Sequence, residues 1–101
     1  SDPKISVGVA NVTFEPGCRN HWHIHHDGFQ LLLVTGGEGW YQEEGKSAKL
    51  LKAGDVITTH DGIKHWHGAT KDSWFEHLAI TAGTPEWLEP VDNQWYENLT
   101  K

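Results

Sequence analysis

Two pairs of histidines, each pair spaced one residue apart, constrain this chain more than any other feature: His23-Ile24-His25 and His65-Trp66-His67. Side chains on a β-strand alternate between faces, so His23 and His25 point one way while Trp22 and Ile24 point the other. Imidazole nitrogen suits divalent transition metals. Two such donors on one strand face make half of a coordination shell. Gln30 stands at the start of the apolar run Leu31-Leu32-Leu33-Val34, and its amide oxygen offers a third donor. A fourth is expected from the second histidine pair. The fold must then bring two segments far apart in sequence around one metal ion.

The chain has 101 residues, which predicts a single domain with one core. That domain is expected to span residues 1–101, with its core at about 5–82 and a tail over 83–101. Six Trp supply much of the area a core needs. A net charge of −6, with no cluster of Lys or Arg, argues against a nucleic-acid partner. The single Cys18 excludes an internal disulfide framework and any multi-cysteine zinc site, and makes the cytoplasm the expected compartment. No apolar run reaches the length of a membrane span. The chain starts Ser-Asp-Pro-Lys and contains no Met, so a leader removed ahead of Ser1 would leave no trace in it.

Read in order, Ser1 to Lys4 is a frayed lead-in. Ile5 to Phe14 alternates as a strand, and Glu15-Pro16-Gly17 turns. The first histidine strand follows and is interrupted at His26-Asp27-Gly28. Phe29 to Thr35 reads as a buried strand, Gly36-Gly37-Glu38-Gly39 as a turn, and Trp40-Tyr41-Gln42 as strand again. Glu43 to Lys46 turns into a returning strand over Ser47–Leu51, closing a hairpin. Lys52 to Asp55 turns, Val56 to Thr59 is a short strand, and His60-Asp61-Gly62 turns. Lys64–Ala69 and Trp74–Thr81 complete the strands. Thr84-Pro85-Glu86 has the form of a helix start, and Asp92 of a cap on a last short helix through Trp95 and Leu99. Many short strands between Gly-bearing turns predict an all-β sandwich or small barrel.

The spacing also resembles a known family. The first segment reads Gly17, five residues, His23-x-His25, four residues, Gln30, six residues, Gly37; the second reads Gly54, five residues, His60-x-Gly62, two residues, His65. This resembles the two motifs of the cupin superfamily. Gln30 stands where cupins usually carry Glu, His60 where they carry Pro, and Ala69 where they carry Asn. Val12-Thr-Phe-Glu-Pro-Gly17, Gly39-Trp-Tyr-Gln-Glu-Glu-Gly45, Lys64-His-Trp-His-Gly-Ala69 and His77-Leu-Ala-Ile80 look like the small single-domain bacterial cupins that include manganese-dependent hydroxynitrile lyases.

The resemblance implies a jelly-roll barrel, usually dimeric, with a short helical C-terminal tail and one divalent metal inside the barrel. It implies His23, His25, Gln30 and His65 as ligands, with manganese favoured over iron, nickel, cobalt or zinc. His67 is then a general base beside the metal-bound substrate, since neutral imidazole has a suitable pKa; a structural histidine is the competing reading. Together with strand parity, the resemblance places Ala10, Val12, Leu33 and Thr81 in the substrate pocket. Three imidazoles and an amide leave a divalent ion its full charge, which favours an oxyanion or a small anion such as cyanide.

Each feature also has a plainer reading. Histidines on a strand can be solvated, and Gln30 can bond backbone. Trp22, Trp40 and Trp66 suit core or dimer packing. His21 fits the cavity mouth or the surface, His26 and His60 fit loops, and His77 a buried, hydrogen-bonded place. Cys18 fits a small semi-buried position. Three functions compete: a hydroxynitrile-lyase-like enzyme, an oxygenase of small organic compounds, and a non-catalytic module that binds a small anion through the metal.

Overall fold

The computed structural model describes residues 7–100. The expected lead-in and the first two residues of the expected Ile5–Phe14 strand lie outside them. Six strands and one helix follow in order: β1 Val7–Phe14, β2 His23–Glu43, β3 Lys49–Lys52, β4 Val56–Thr59, β5 His65–Ala69, β6 Phe75–Trp87 and α1 Asn93–Glu97. The expected all-β architecture is what forms, with a single helical turn at the end. No helix among the described residues is long and apolar enough to cross a membrane.

β2 is the hub. It pairs antiparallel with β3, β4 and β6 and parallel with β5, while β1 joins the far side of β6. His65 lies opposite both His23 and Glu43, the two ends of β2. A 21-residue strand whose ends meet the same partner residue has curled right round, and the sheet closes into a barrel.

Two expected breaks in β2 are instead bulges. Between His26 and Phe29, three steps along β2 oppose two along β6, from Thr84 to Ala82; between Val34 and Gly36, two steps oppose one. Each inserts one extra residue and bends the strand without ending it. Asp27 takes the strain of the first at φ 60°. At the second, Gly37 sits at φ 70°, and a Cβ there would strike the Trp74 carbonyl. The Gly36–Gly39 stretch is therefore a corner that the chain turns while still paired.

The other correction concerns Thr84-Pro85-Glu86. No helix starts there; β6 runs on to Trp87 and pairs with His23–His26. Pro85 lies beyond Ala82, where the described pairing with β1 ends. Among the described residues β6 has one unpaired side there, and an edge strand tolerates a residue without an N–H. His26, expected in a loop, belongs to β2, with its Nε2 2.6 Å from a Glu86 carboxylate oxygen. α1 forms where Asp92 caps it, accepting from the Trp95 N–H at 2.9 Å.

The core divides into two. Inside the barrel lie Leu32, Val34, Tyr41, Leu51, Ala69, Phe75 and Ala79. Outside it, the C-terminal segment covers Trp40 and Trp66 with Val91 and Tyr96. Trp66 and Trp95 both donate their indole N–H to Gln42 Oε1, at 2.9 and 3.0 Å. β5 is thus buried on both faces, with Trp66 outward against the tail and His65 and His67 inward. Gly39 packs against the ring of the fully buried Phe75, and a Cβ would enter that ring. Gly39→Ala is expected to cost about 1–3 kcal/mol, read as a lower midpoint in urea; an unchanged midpoint would show that the ring moves freely.

Candidate metal centre

His23 and His25 enter the barrel on the same face of β2, and both are buried. Gln30 lies five residues past His25, an odd separation that would put it on the opposite face of an unbroken strand. The bulge at Asp27-Gly28 resets the alternation, and Gln30 is buried beside the histidines. β5 delivers His65 from across the barrel. The His65 ring centroid is 4.2 Å from that of His23 and 5.4 Å from that of His25, and the His23 and His25 centroids are 5.1 Å apart.

Two rings are held alike. His23 Nδ1–H donates to the His21 carbonyl at 2.8 Å, and His65 Nδ1–H donates to the Ile63 carbonyl at 3.0 Å. A neutral ring carrying its proton on Nδ1 leaves Nε2 with a bare lone pair. A carbonyl behind a metal-binding imidazole is the usual way its orientation is set. His65 Nε2 then faces Gln30 Oε1 at 3.0 Å, an acceptor against an acceptor, while Gln30 Nε2 donates to Thr81 Oγ1 at 3.2 Å. Either a cation or a turned amide would relieve that contact. A cation would also answer His25, whose two buried nitrogens have no partner among the described residues. The donor set therefore fits a divalent metal ion. Nitrogens of His23, His65 and His67 also lie within 4.8 Å of one another, which makes His67 a competitor of His25 for the ligand role.

Burial lowers the pKa of His23, His25 and His77, the neighbouring His25 adding to the effect at His23. It lowers His67 well below its ordinary value, helped by His77, His23, His65 and His25. His65 is pushed down from 6.5 to about 4, first by burial and then by His23. Metal-free protein is accordingly expected to lose stability in acid. Above about pH 6.5 the His65 ring is neutral in both folded and unfolded chains, and its shift has no effect. Below that the unfolded chain binds a proton that the folded chain refuses, so stability falls until about pH 4. This ring accounts for roughly 3 kcal/mol, and the other lowered histidines act in the same direction. Urea unfolding of chelator-treated protein across this range measures it, and a flat profile would contradict it.

The centre opens on a cavity of about 420 Å³. Ala10, Val12 and Thr81 line it together with His23, His25, Gln30 and His67. Leu33 does not: Leu32 and Val34 point into the barrel, and Leu33 alternates outward. Six further residues complete the wall: Phe14, Asn20, His77, Ala79, Pro85 and Trp87. Phe14, His77 and Ala79 continue the parity of Val12 and Thr81 along β1 and β6, a signal already present in the sequence. Pro85 and Trp87 sit in the strand extension that resembles a helix start, and Asn20 sits in a loop with no period. His77 is fully buried as expected, yet its ring nitrogens have no partner among the described residues. His21 is exposed and bonded to the Leu88 carbonyl; His60 is exposed in the turn after β4; Cys18 is exposed.

The Cupin domain family matches residues 10–81. Among curated proteins, the (R)-mandelonitrile lyase of Granulicella tundricola is 43% identical over 99 residues, spanning 94% of this chain and 74% of that protein. An oxalate-binding protein of Thermotoga maritima is 32% identical over 71 residues, 70% of this chain and 58% of its own length. Among solved structures, a cupin-like protein of Thermotoga maritima superposes with a TM-score of 0.88 at 44% identity, covering 94% of this chain and 74% of that one.

Proposed function

Since this chain belongs to the cupin domain family, its barrel being the cupin jelly roll, we propose that it is a metal-dependent lyase of small molecules, one that breaks or forms the bond between a carbonyl carbon and cyanide. The observation that carries this reading is the uncharged donor set at the end of a mostly apolar cavity, with a further neutral histidine beside it. The likeness to an (R)-mandelonitrile lyase supports it. His23, His25, Gln30 and His65 would hold the ion, and manganese is favoured by the resemblance; iron, nickel, cobalt and zinc accept the same donors. A divalent ion bound there supplies positive charge for a developing oxyanion or for cyanide.

The side chains do the rest. Ala10, Val12, Phe14 and Ala79 form the apolar wall for the organic group of a cyanohydrin. His67, neutral and lining the cavity, takes the proton from the substrate hydroxyl. The C–C bond then breaks, the carbonyl forms, and the electron pair leaves with cyanide. The proton returns from His67 to cyanide, so the ring ends as it began. A homodimer and a cytoplasmic location are proposed with this reading, the first from the family resemblance and the second from cysteine usage.

A second reading has its own support. An all-neutral shell leaves a metal its full charge, which also suits tight binding of a small anion, and the oxalate-binding relative points the same way. The test is mandelonitrile cleavage by manganese-loaded protein, with oxalate binding measured on the same sample. Turnover supports the lyase. Tight oxalate binding with no cleavage of any cyanohydrin would leave the binding module.

A further inference from the structure

The loop before β2 lies along β5 in a way the proposed reaction has not used. The Gly17 N–H donates to the Thr70 carbonyl at 2.9 Å, and the Ala69 N–H donates to the Cys18 carbonyl at 2.8 Å. The approach is close enough that a Cβ on Gly68 would strike Arg19. At the inner end of this contact, three hydrogen bonds clasp Asn20 to His67. The Asn20 N–H donates to the His67 carbonyl at 3.1 Å, and the His67 N–H donates to Asn20 Oδ1 at 2.9 Å. Asn20 Nδ2 lies 3.1 Å from His67 Nε2.

These contacts determine each other. A backbone N–H can only donate, so the amide oxygen must be the atom facing it. The amide NH2 is then necessarily the group that faces the ring, and it too can only donate. Nε2 must accept. From this clasp we infer that Asn20 is a positioning residue that holds neutral His67 in the tautomer with its proton on Nδ1 and the Nε2 lone pair free of a proton. The other tautomer would set an N–H against an N–H at this separation and lose the bond outright. Rotating the amide would only move the same conflict to the backbone N–H.

The consequence rests on the role proposed for His67, but the tautomer itself does not. A general base needs a bare lone pair at the atom that meets the substrate proton. Asn20 keeps Nε2 in that state in the free protein, occupying its single in-plane acceptor site until a substrate hydroxyl replaces the amide. A ring with its proton on Nε2 would offer that hydroxyl a donor where an acceptor is needed.

The experiment reads the ring directly. Nitrogen-15 NMR of the histidine rings in zinc-loaded protein, with His67 assigned by its loss in His67→Ala, should show a protonated Nδ1 and a bare Nε2. Asn20→Asp keeps the shape and the acceptor for the His67 N–H but replaces the donating NH2 with an accepting oxygen. It should place a proton on Nε2. If the protein is a lyase, kcat should fall about 100-fold or more, since the wrong tautomer of a catalytic histidine costs up to about 10⁴-fold. A protonated Nε2 in the wild type overturns the inference whatever the variant does. An Asn20→Asp chain whose Nε2 stays bare overturns it equally. A protein without lyase activity that shows the expected tautomers leaves the positioning role standing and removes only the reaction.

Discussion

A His65→Ala chain is expected to take up no metal at concentrations that fill the parent. His65 is the only proposed ligand from outside β2. Its Nε2 faces Gln30 Oε1 at 3.0 Å, and its ring lies close against His23. Without it the remaining proposed ligands all come from one strand, and the proposed shell loses its donor from across the barrel. Loss of a supporting contact to a metal-binding residue already costs about 10–100-fold in affinity, so loss of the ligand itself should exceed about 100-fold. Metal content after dialysis, and calorimetric titration with manganese, measure it. His21→Ala, altered at an exposed ring, is the control. Binding that survives His65→Ala undiminished would remove the proposed centre.

His67→Ala should behave in the opposite way. The chain keeps its metal and loses turnover, with kcat down about 10²–10⁴-fold, the usual worth of a positioned acid–base group. The comparison matters because nitrogens of His23, His65 and His67 converge within 4.8 Å, whereas His25 enters the proposed shell through its unpartnered nitrogens. A His67→Ala chain that loses metal while His25→Ala retains it would make His67 the ligand. The proton would then need another carrier, and His77 would be the first to test, because its ring centroid lies 5.0 Å from that of His67 inside the same cavity.

The histidine pairs are legible because strand alternation is local: one residue between two imidazoles puts them on one face whatever surrounds them. The family spacing carries the barrel. What the chain hides depends on contacts distant in sequence. Gly36-Gly37-Glu38-Gly39 has the composition of a turn, and only the approach of Trp74 and Phe75 makes those glycines a paired corner. Thr84-Pro85 carries local helix-start chemistry, yet pairing with the histidine end of β2 prevails. Gln30 is on the wrong face by simple counting from His25, and the Asp27-Gly28 bulge brings it in; Leu33 shares the parity of His25, and the same bulge turns it outward. Asn20 sits in a loop, where no period exists to point at it.

Trp87 closes one side of the cavity with its indole lying over His23, ring centroids 4.6 Å apart, while more than half of the residue remains open to solvent. An indole tilted at 32° over an imidazole proposed as a metal ligand would act as an optical gauge. Filling of the centre by an open-shell ion should dim its emission, whereas zinc should not, and Trp87→Phe should erase the difference despite the other five tryptophans. With the proposed centre, the protein would carry its own fluorescent readout of occupancy, one that needs no substrate and no label.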